Sequence, residues 1–323
     1  MGLQPGDRIA TVSNNRPEWN FLDLAMLQVG GVHVPLYPTI TDQDYRYILE
    51  HAEVRWVMVS DASLYERIEP IAHEFPHIAG VYTFNRIPGA KHWTEIKEAG
   101  RPDLKQTLIE RRAAIQKEDT ATIIYTSGTT GFPKGVMLSH HNIMSNLLAA
   151  AVRVPCKAGD KSLSFLPLNH IYERMLTYMM MYSSIGIHYA ESMETIGNDL
   201  KEVKPVLFTT VPRLLEKVYE KIMAKGAELS GLKRKLFDWA VKLGERYDIS
   251  THQGIGYSIQ LWLANKIIFN KWRAALGGNV KYLITGGAAC QVKLLRIFTA
   301  AGVPIFEGYG PTENSPVISV NCR

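Results

Sequence analysis

A chain of 323 residues with 46% apolar and 21% charged side chains can bury a substantial core and has the composition of a soluble globular protein. Its formal charge of +5 suits small anions or an anionic surface but is too weak to argue for nucleic acid. Three scattered cysteines, Cys156, Cys290 and Cys322, show neither metal-ligand spacing nor a disulfide framework and fit a reducing cytoplasm.

The first segments alternate between two periodicities. Residues 8–13 (RIATVS) read as a strand, 19–29 as an apolar helix and 32–36 as a short strand. Residues 41–51 read as a helix with Asp42 and Asp44 where negative charge favours its N-terminus; 56–60 read as a strand and 64–75 as a helix. Such alternation implies a parallel sheet covered on both faces. Residues 88–119 read as a polar connection with one helix over 103–114. A buried strand follows at 120–125 (TATIIY), then a glycine-rich loop and a second strand at 136–138.

Farther on, 140–152 has the pattern of an amphipathic helix and 161–166 that of a strand. Residues 175–190 are apolar, but they are short for a membrane span and broken by Ser183, Ser184, Gly186 and His188, so they read as a buried helix running into a strand. Residues 206–211 are strand-like. The Lys- and Glu-rich stretch 214–247, interrupted around Gly226 and Gly231, reads as a solvated helical hairpin. The alternative is a membrane-surface patch resting on Lys233, Arg234 and Lys235 beside Leu236, Phe237 and Trp239, which would make the protein peripheral at the inner membrane face. Strand, helix and strand close the chain at 282–285, 292–301 and 304–307, and no internal repeat is visible.

Residues 125–135, YTSGTTGFPKG, carry the chemistry. Glycines at 128, 131 and 135 let backbone N–H groups approach phosphate oxygens. Ser127, Thr129 and Thr130 add hydroxyl donors, and Lys134 adds a mobile positive charge. A Walker A loop is excluded, because Gly135 stands where that motif needs a Ser or Thr after the lysine.

This loop resembles the phosphate-binding signature of the adenylate-forming enzymes: acyl-CoA synthetases, peptide-synthetase adenylation domains and firefly luciferase. Two further segments are similar to that family in the same order, LITGGAA at 283–289 and GYGPTE at 308–313. The run PLNHIYER at 167–174 resembles the P-L-x-H-x-x-E-R segment of long-chain fatty acyl-CoA synthetases. The resemblance implies an α/β fold of two interleaved doubly wound, mainly parallel sheets flanked by helices. It would be the large N-terminal domain over 1–323, incomplete, with the small C-terminal domain absent. The implied reaction joins a fatty carboxylate to the α-phosphorus of ATP, releases pyrophosphate, and passes the acyl group to CoA with release of AMP.

The same resemblance implies residue roles. Thr126 and Glu313 would hold Mg2+, oxygen ligands for a hard cation. Ser127, Gly128, Thr129, Thr130, Gly131 and Lys134 would wrap the β- and γ-phosphates. Gly287, Ala288, Ala289, Tyr309 and Gly310 would line the adenine, and Thr312 would lie near the α-phosphate. His170 would position the carboxylate or stabilise transferred charge, acting with Lys134 and Glu313 as the catalytic set. The family's ribose-binding aspartate, hinge and C-terminal lysine have no counterpart in this sequence, so weak or absent turnover is expected of the chain alone. Two alternatives stand beside this reading: adenylation of a short-chain, aryl or amino acid, or a non-catalytic nucleotide-binding fragment.

Overall fold

The structure, a computed structural model, describes residues 2–127, 131–154, 156–251 and 253–321. The chain forms two compact units and passes between them more than once. The first holds Met1–Leu148, Pro167–Met175 and Thr312–Pro316; the second holds Ala149–Leu166, Leu176–Pro311 and Val317–Arg323.

The first unit runs β1 (Arg8–Val12), α1 (Pro17–Leu27), β2 (Val32–Leu36), α2 (Asp42–His51), β3 (Val54–Val59), α3 (Ala62–His73), β4 (Gly80–Thr83), β5 (Lys91–His92), α4 (Trp93–Glu98), α5 (Lys105–Ala114), β6 (Thr120–Thr126), β7 (Lys134–Ser139) and α6 (His140–Ala151). Among the described residues its sheet has the order β5-β4-β3-β1-β2-β6-β7, parallel except for the β6–β7 hairpin. Successive residues of a strand face opposite sides. Accordingly Ala10, Val12, Val57 and Val59 pack with Ile48, Leu49 and Ile68 of α2 and α3. Ile9, Trp56 and Met58 pack on the other side with Met26 of α1. Burial on both faces explains why these strands read as nearly continuous apolar runs.

The second unit runs β8 (Lys161–Ser164), α7 (Ile171–Tyr182, whose first residues belong to the first unit), β9 (Gly186–Tyr189), α8 (Ile196–Val203), β10 (Leu207–Thr210), α9 (Pro212–Ala227), α10 (Gly231–Glu245) and α11 (Gly254–Ala264). A π-helical turn (Asn265–Phe269), α12 (Asn270–Ala275), β11 (Tyr282–Thr285), α13 (Val292–Ala300), β12 (Ile305–Tyr309) and β13 (Ser319–Val320) complete it. Its sheet has the order β13-β12-β11-β10-β8-β9, with only β13 antiparallel. The mainly parallel, doubly wound expectation therefore holds. Moreover, β5-β4-β3-β1-β2 and β12-β11-β10-β8-β9 are the same permutation, so the fold repeats a strand order where the sequence shows no repeat.

Three local readings are corrected. The polar stretch 88–119 also contains β5 and α4. Strand β5 is only two residues long, and α4 is capped by a histidine: His92 Nδ1 accepts from Thr94 N–H while Glu95 accepts from His92 N–H. Gly226 does not interrupt α9 but lies within it, where α9 meets α10; a Cβ there would overlap the Phe237 ring. The apolar partners of the proposed basic patch on α10 are turned inward, since Phe237 is core and Leu236 and Trp239 pack against it. The α9–α10 pair is a helical hairpin, as the sequence suggests.

Candidate active site

Strands β2 and β6 lie side by side, yet the connections leaving them go to opposite edges of the sheet. Chain leaving β2 goes by α2 to β3, while chain leaving β6 turns back into β7. Divergence of this kind opens a crevice at the carboxyl ends of parallel strands. A cavity of about 460 Å³ occupies that place, within the size range of small-molecule sites. Its walls include Leu36 at the end of β2 and Tyr37 after it, Tyr125, Thr126, Ser127 and Gly131 at the hairpin, His170, and Thr312.

Antiparallel pairing sets Lys134 directly across from Thr126, with Ser127, Gly131 and Pro133 on the cavity wall. Lys134 and Ser127 are exposed and Thr126 is half-buried. Gly131, at φ +93°, adopts a backbone conformation that L side chains rarely enter. The predicted phosphate contacts of Gly128, Thr129 and Thr130 lie outside the described residues. Thr312 begins a single 3₁₀ turn, Thr312–Asn314, which packs on β7; Asn146 Nδ2 of α6 donates to Asn314 O (3.5 Å). Glu313 is the exposed middle residue of that turn. The structure thus gathers Thr126, Ser127, Gly131, His170 and Thr312 around one cavity, with Lys134 and Glu313 on the elements that frame it.

His170 is held by its neighbours. Leu168 N–H donates to Asn15 Oδ1 in the loop after β1 (3.0 Å), and Asn169 Nδ2 donates to the carbonyl of Leu36 at the end of β2 (2.6 Å). Tyr172 N–H donates to His170 Nδ1 (3.1 Å), which makes that nitrogen an acceptor and leaves the proton of the neutral ring on Nε2. The imidazole keeps an exposed edge inside a protein-lined hollow, and this burial lowers its pKa below the usual histidine value of 6.5. His170 is therefore neutral at pH 7, with an N–H available to an oxygen atom.

Four residues on, Arg174 is fully buried. Its guanidinium donates to Asp23 Oδ1 on α1 (2.5 Å) and to Thr122 Oγ1 on β6 (2.6 Å), and lies over the Trp19 ring. Thr122 Oγ1 in turn donates to the carbonyl of His33 on β2 (2.7 Å). His33 bridges Asp23 (2.7 Å) and Thr11 of β1 (2.8 Å). A carboxylate can only accept, so neutral His33 donates from Nδ1 and accepts at Nε2 from the threonine. The arginine of the P-L-x-H-x-x-E-R segment thus ties the helix turn following His170 to α1 and the strands. Sequence reasoning missed Asp23, Thr122 and Tyr37, because no local motif marks them. The buried polar residues Thr11, Asp23 and His33 in otherwise apolar elements were the available signal.

In the second unit, β11 and β12 pair in parallel with Thr285 opposite Glu307, so the loops at their carboxyl ends adjoin. Gly287, Ala288 and Ala289 are exposed on the first loop, and Tyr309, 69% exposed, stands at the end of β12 before Gly310. Cys290 N–H donates to Glu307 Oε1 (2.7 Å), folding the first loop against β12. Pairing of Tyr309 with Ser319 of β13 fixes the second. The five predicted adenine-lining residues therefore lie on two adjoining loops. The methionine-rich run of α7 is core, since residues 171–180 are all buried.

Both proposed magnesium ligands are hard oxygens, one hydroxyl and one carboxylate. Among the described residues no cluster of three or more His, Cys, Asp or Glu could form a protein-only metal cage. So few protein oxygens fit a cation that keeps water and draws its remaining ligands from a bound phosphate.

Comparison with known proteins agrees with this architecture. The sequence pattern of AMP-binding enzymes matches residues 1–323. The chain belongs to the AMP-binding enzyme family. It is 30% identical over 327 residues to the long-chain-fatty-acid–CoA ligase FadD15 of Mycobacterium bovis, covering 99% of this chain and 54% of that protein. It is 32% identical to human long-chain-fatty-acid–CoA ligase 1, covering 96% of this chain and 45% of that protein. This member of the family thus spans about half the length of those relatives. The fold matches the crystal structure of a long-chain-fatty-acid–CoA ligase, FadD1 from Archaeoglobus fulgidus, with TM-score 0.73 at 19% identity, over 99% of this chain and 55% of that one. It matches equally the adenylation domain of a carboxylate reductase from Mycobacterium chelonae, with TM-score 0.73 at 21% identity, over 99% and 49%.

Proposed function

We propose that this chain supplies the ATP- and acid-binding core of a long-chain fatty acid–CoA ligase. The observation that carries the reading is the cavity that brings together residues 126, 127 and 131 with His170 and Thr312, far apart in sequence and each predicted for the same chemistry. The loop with Lys134 binds and orients the β- and γ-phosphates, so that pyrophosphate departs in line with the incoming carboxylate. Thr126 and Glu313 hold magnesium, whose positive charge offsets that of the phosphates. His170 donates from Nε2 to the carboxylate or to the α-phosphate oxygen, a fixed donor where negative charge shifts during transfer. Gly287, Ala288, Ala289, Tyr309 and Gly310 receive the adenine, with the exposed Tyr309 ring as a stacking surface. CoA thiol then takes the acyl group, and AMP leaves.

The preference for a long-chain acid rests on the segment at 167–174 and on the relatives' names. It is tested by ATP–pyrophosphate exchange across fatty, aryl and amino acids, using protein that carries its natural flanking sequence. Exchange strongest with palmitate, and a magnesium requirement raised at least tenfold by Glu313→Gln, is the expected result. Exchange with amino or aryl acids alone would reject the substrate, and an unchanged magnesium requirement would reject the metal role.

A further inference from the structure

Helix α11 is built inside out. Ile255, Ile259 and Trp262 recur at helical spacing and are 79%, 61% and 62% exposed, and Leu263 beside them is 41% exposed. They frame a shallow recess of about 300 Å³ together with Gly254 and Ser258. Surface apolar residues are ordinary when scattered, whereas a contiguous stripe marks an interaction face.

The stripe cannot roll inward. On the opposite side of α11, Tyr257 and Leu261 pack against the second unit's core, and Tyr257 O–H donates to the carbonyl of Leu243 on α10 (2.9 Å). Asn265 Nδ2 donates to the carbonyl of Ala300 on α13 (2.8 Å). Arg273 Nη1 donates to the carbonyl of Ala301 (2.5 Å) and to Asn265 Oδ1 (2.6 Å). The helix is thereby clamped with its apolar stripe in solvent.

Charge around the stripe is one-sided. From residue 249 to residue 306, a span of 58, the sequence has no Asp or Glu but has Lys266, Lys271, Arg273, Lys281, Lys293 and Arg296. Lys293 and Arg296 pair with Glu245 and Asp248, and Arg273 is spent on carbonyls. Lys266 and Lys271 are exposed just beyond α11, and Lys266 Nζ lies 5.2 Å from the centre of the Trp262 ring. A tryptophan beside a lysine at the end of an apolar stripe, within a run of sequence that has no acidic residue, suits the boundary between acyl chains and anionic headgroups.

We infer that α11 is a membrane-docking helix, lying in the plane of an anionic bilayer with Ile255, Ile259 and Trp262 below the headgroups and Lys266 and Lys271 among the phosphates. No helix among the described residues is long and apolar enough to cross a membrane, so the contact is peripheral. The inference is independent of the substrate reading, because docking requires no turnover.

Vesicle co-sedimentation of the purified chain tests it, with phosphatidylcholine alone and with 30% phosphatidylglycerol added. The wild type is expected to partition at least tenfold more strongly onto the anionic vesicles. The double substitution Ile259→Ser and Trp262→Ser should lower this partition at least tenfold while leaving the thermal midpoint unchanged. Lys266→Glu with Lys271→Glu should remove the preference for phosphatidylglycerol. Trp262→Phe, which keeps the apolar area, should still bind but lose most of the tryptophan quenching by brominated lipid. Failure of the wild type to bind either vesicle would overturn the proposal, as would binding that the serine pair leaves intact. A wild-type dimer dispersed by the serine pair, without vesicle binding, would assign the stripe to a second copy instead and equally overturn it.

Discussion

Replacing Arg174 by Met keeps the length of the side chain but removes the guanidinium that binds Asp23 and Thr122, all three residues being fully buried. No solvent can reach Asp23 to take the guanidinium's place, so the cost is that of leaving one partner of a buried pair, about 3–5 kcal/mol. At ~1.4 kcal/mol per decade, the population of opened molecules should rise by about two to four orders of magnitude. Urea unfolding followed by hydrogen exchange at amides of β1, β2 and β6 measures the loss where it arises.

The pH dependence makes the expectation sharper. In the wild type, burial lowers the His33 pKa below 6.5, Asp23 opposes that shift and the charge of Arg174 adds to it. His33 is therefore neutral when folded, and its contribution, present above pH 6.5, is lost as pH falls through the interval between the unfolded and folded pKa values. Without Arg174 one lowering cause disappears, while the Asp23 carboxylate stays 2.7 Å from His33 Nδ1 and favours the protonated ring. The deficit of Arg174→Met relative to wild type should then shrink on acidification from pH 7.5 to 5.5. A loss below about 1 kcal/mol, the scale of an exposed ion pair, would refute the reasoning; so would a deficit that is flat or grows on acidification.

Two further outcomes follow from the same geometry. Because burial lowers the His170 pKa, the ring takes its second proton at a pH below 6.5; that proton goes to Nδ1, ends its acceptance from Tyr172 N–H and frees the ring, so adenylate formation should fall on the acid side, and His170→Gln, a donor that does not titrate there, should remove that limb; a limb left unchanged in pH–rate profiles would exclude His170. Gly226→Ala should destabilise the second unit by about 1–3 kcal/mol in urea titrations, since the new methyl overlaps the buried Phe237 ring and overpacking outweighs the helix-propensity gain; equal or greater stability would refute the close approach of α9 and α10.

What could be read from the sequence was whatever is local. The β-branched run before Thr126, the glycine loop and the segment at 167–174 each carry their pattern within about a dozen residues, and the structure has β6 and β7 where strands are expected on either side of the loop. What could not be read depends on contacts between distant residues. Arg174 meets Thr122 and Asp23 across 52 and 151 positions, and nothing in residues 167–174 says that the arginine turns into the core beneath the first sheet. Helix α11 is the converse case. Its composition is that of a buried helix, and only the anchoring of Tyr257, Asn265 and Arg273 shows which side faces out.

The candidate residues of both units fall at the carboxyl ends of neighbouring parallel strands. In the first unit they stand where connecting chain diverges, between β2 and β6; in the second they stand on the loops after the neighbouring strands β11 and β12. Loops at that edge are free to vary without disturbing the strands, which are buried on both faces. In the first unit the variable positions are filled by Tyr37, Thr126 and Ser127; in the second they are filled by Gly287, Ala288, Ala289, Tyr309 and Gly310. Glycine and alanine fill four of the five positions in the second set and leave its backbone open to close approach. Small residues at a rigid sheet edge leave backbone groups accessible, the feature on which the proposed phosphate and purine contacts rest.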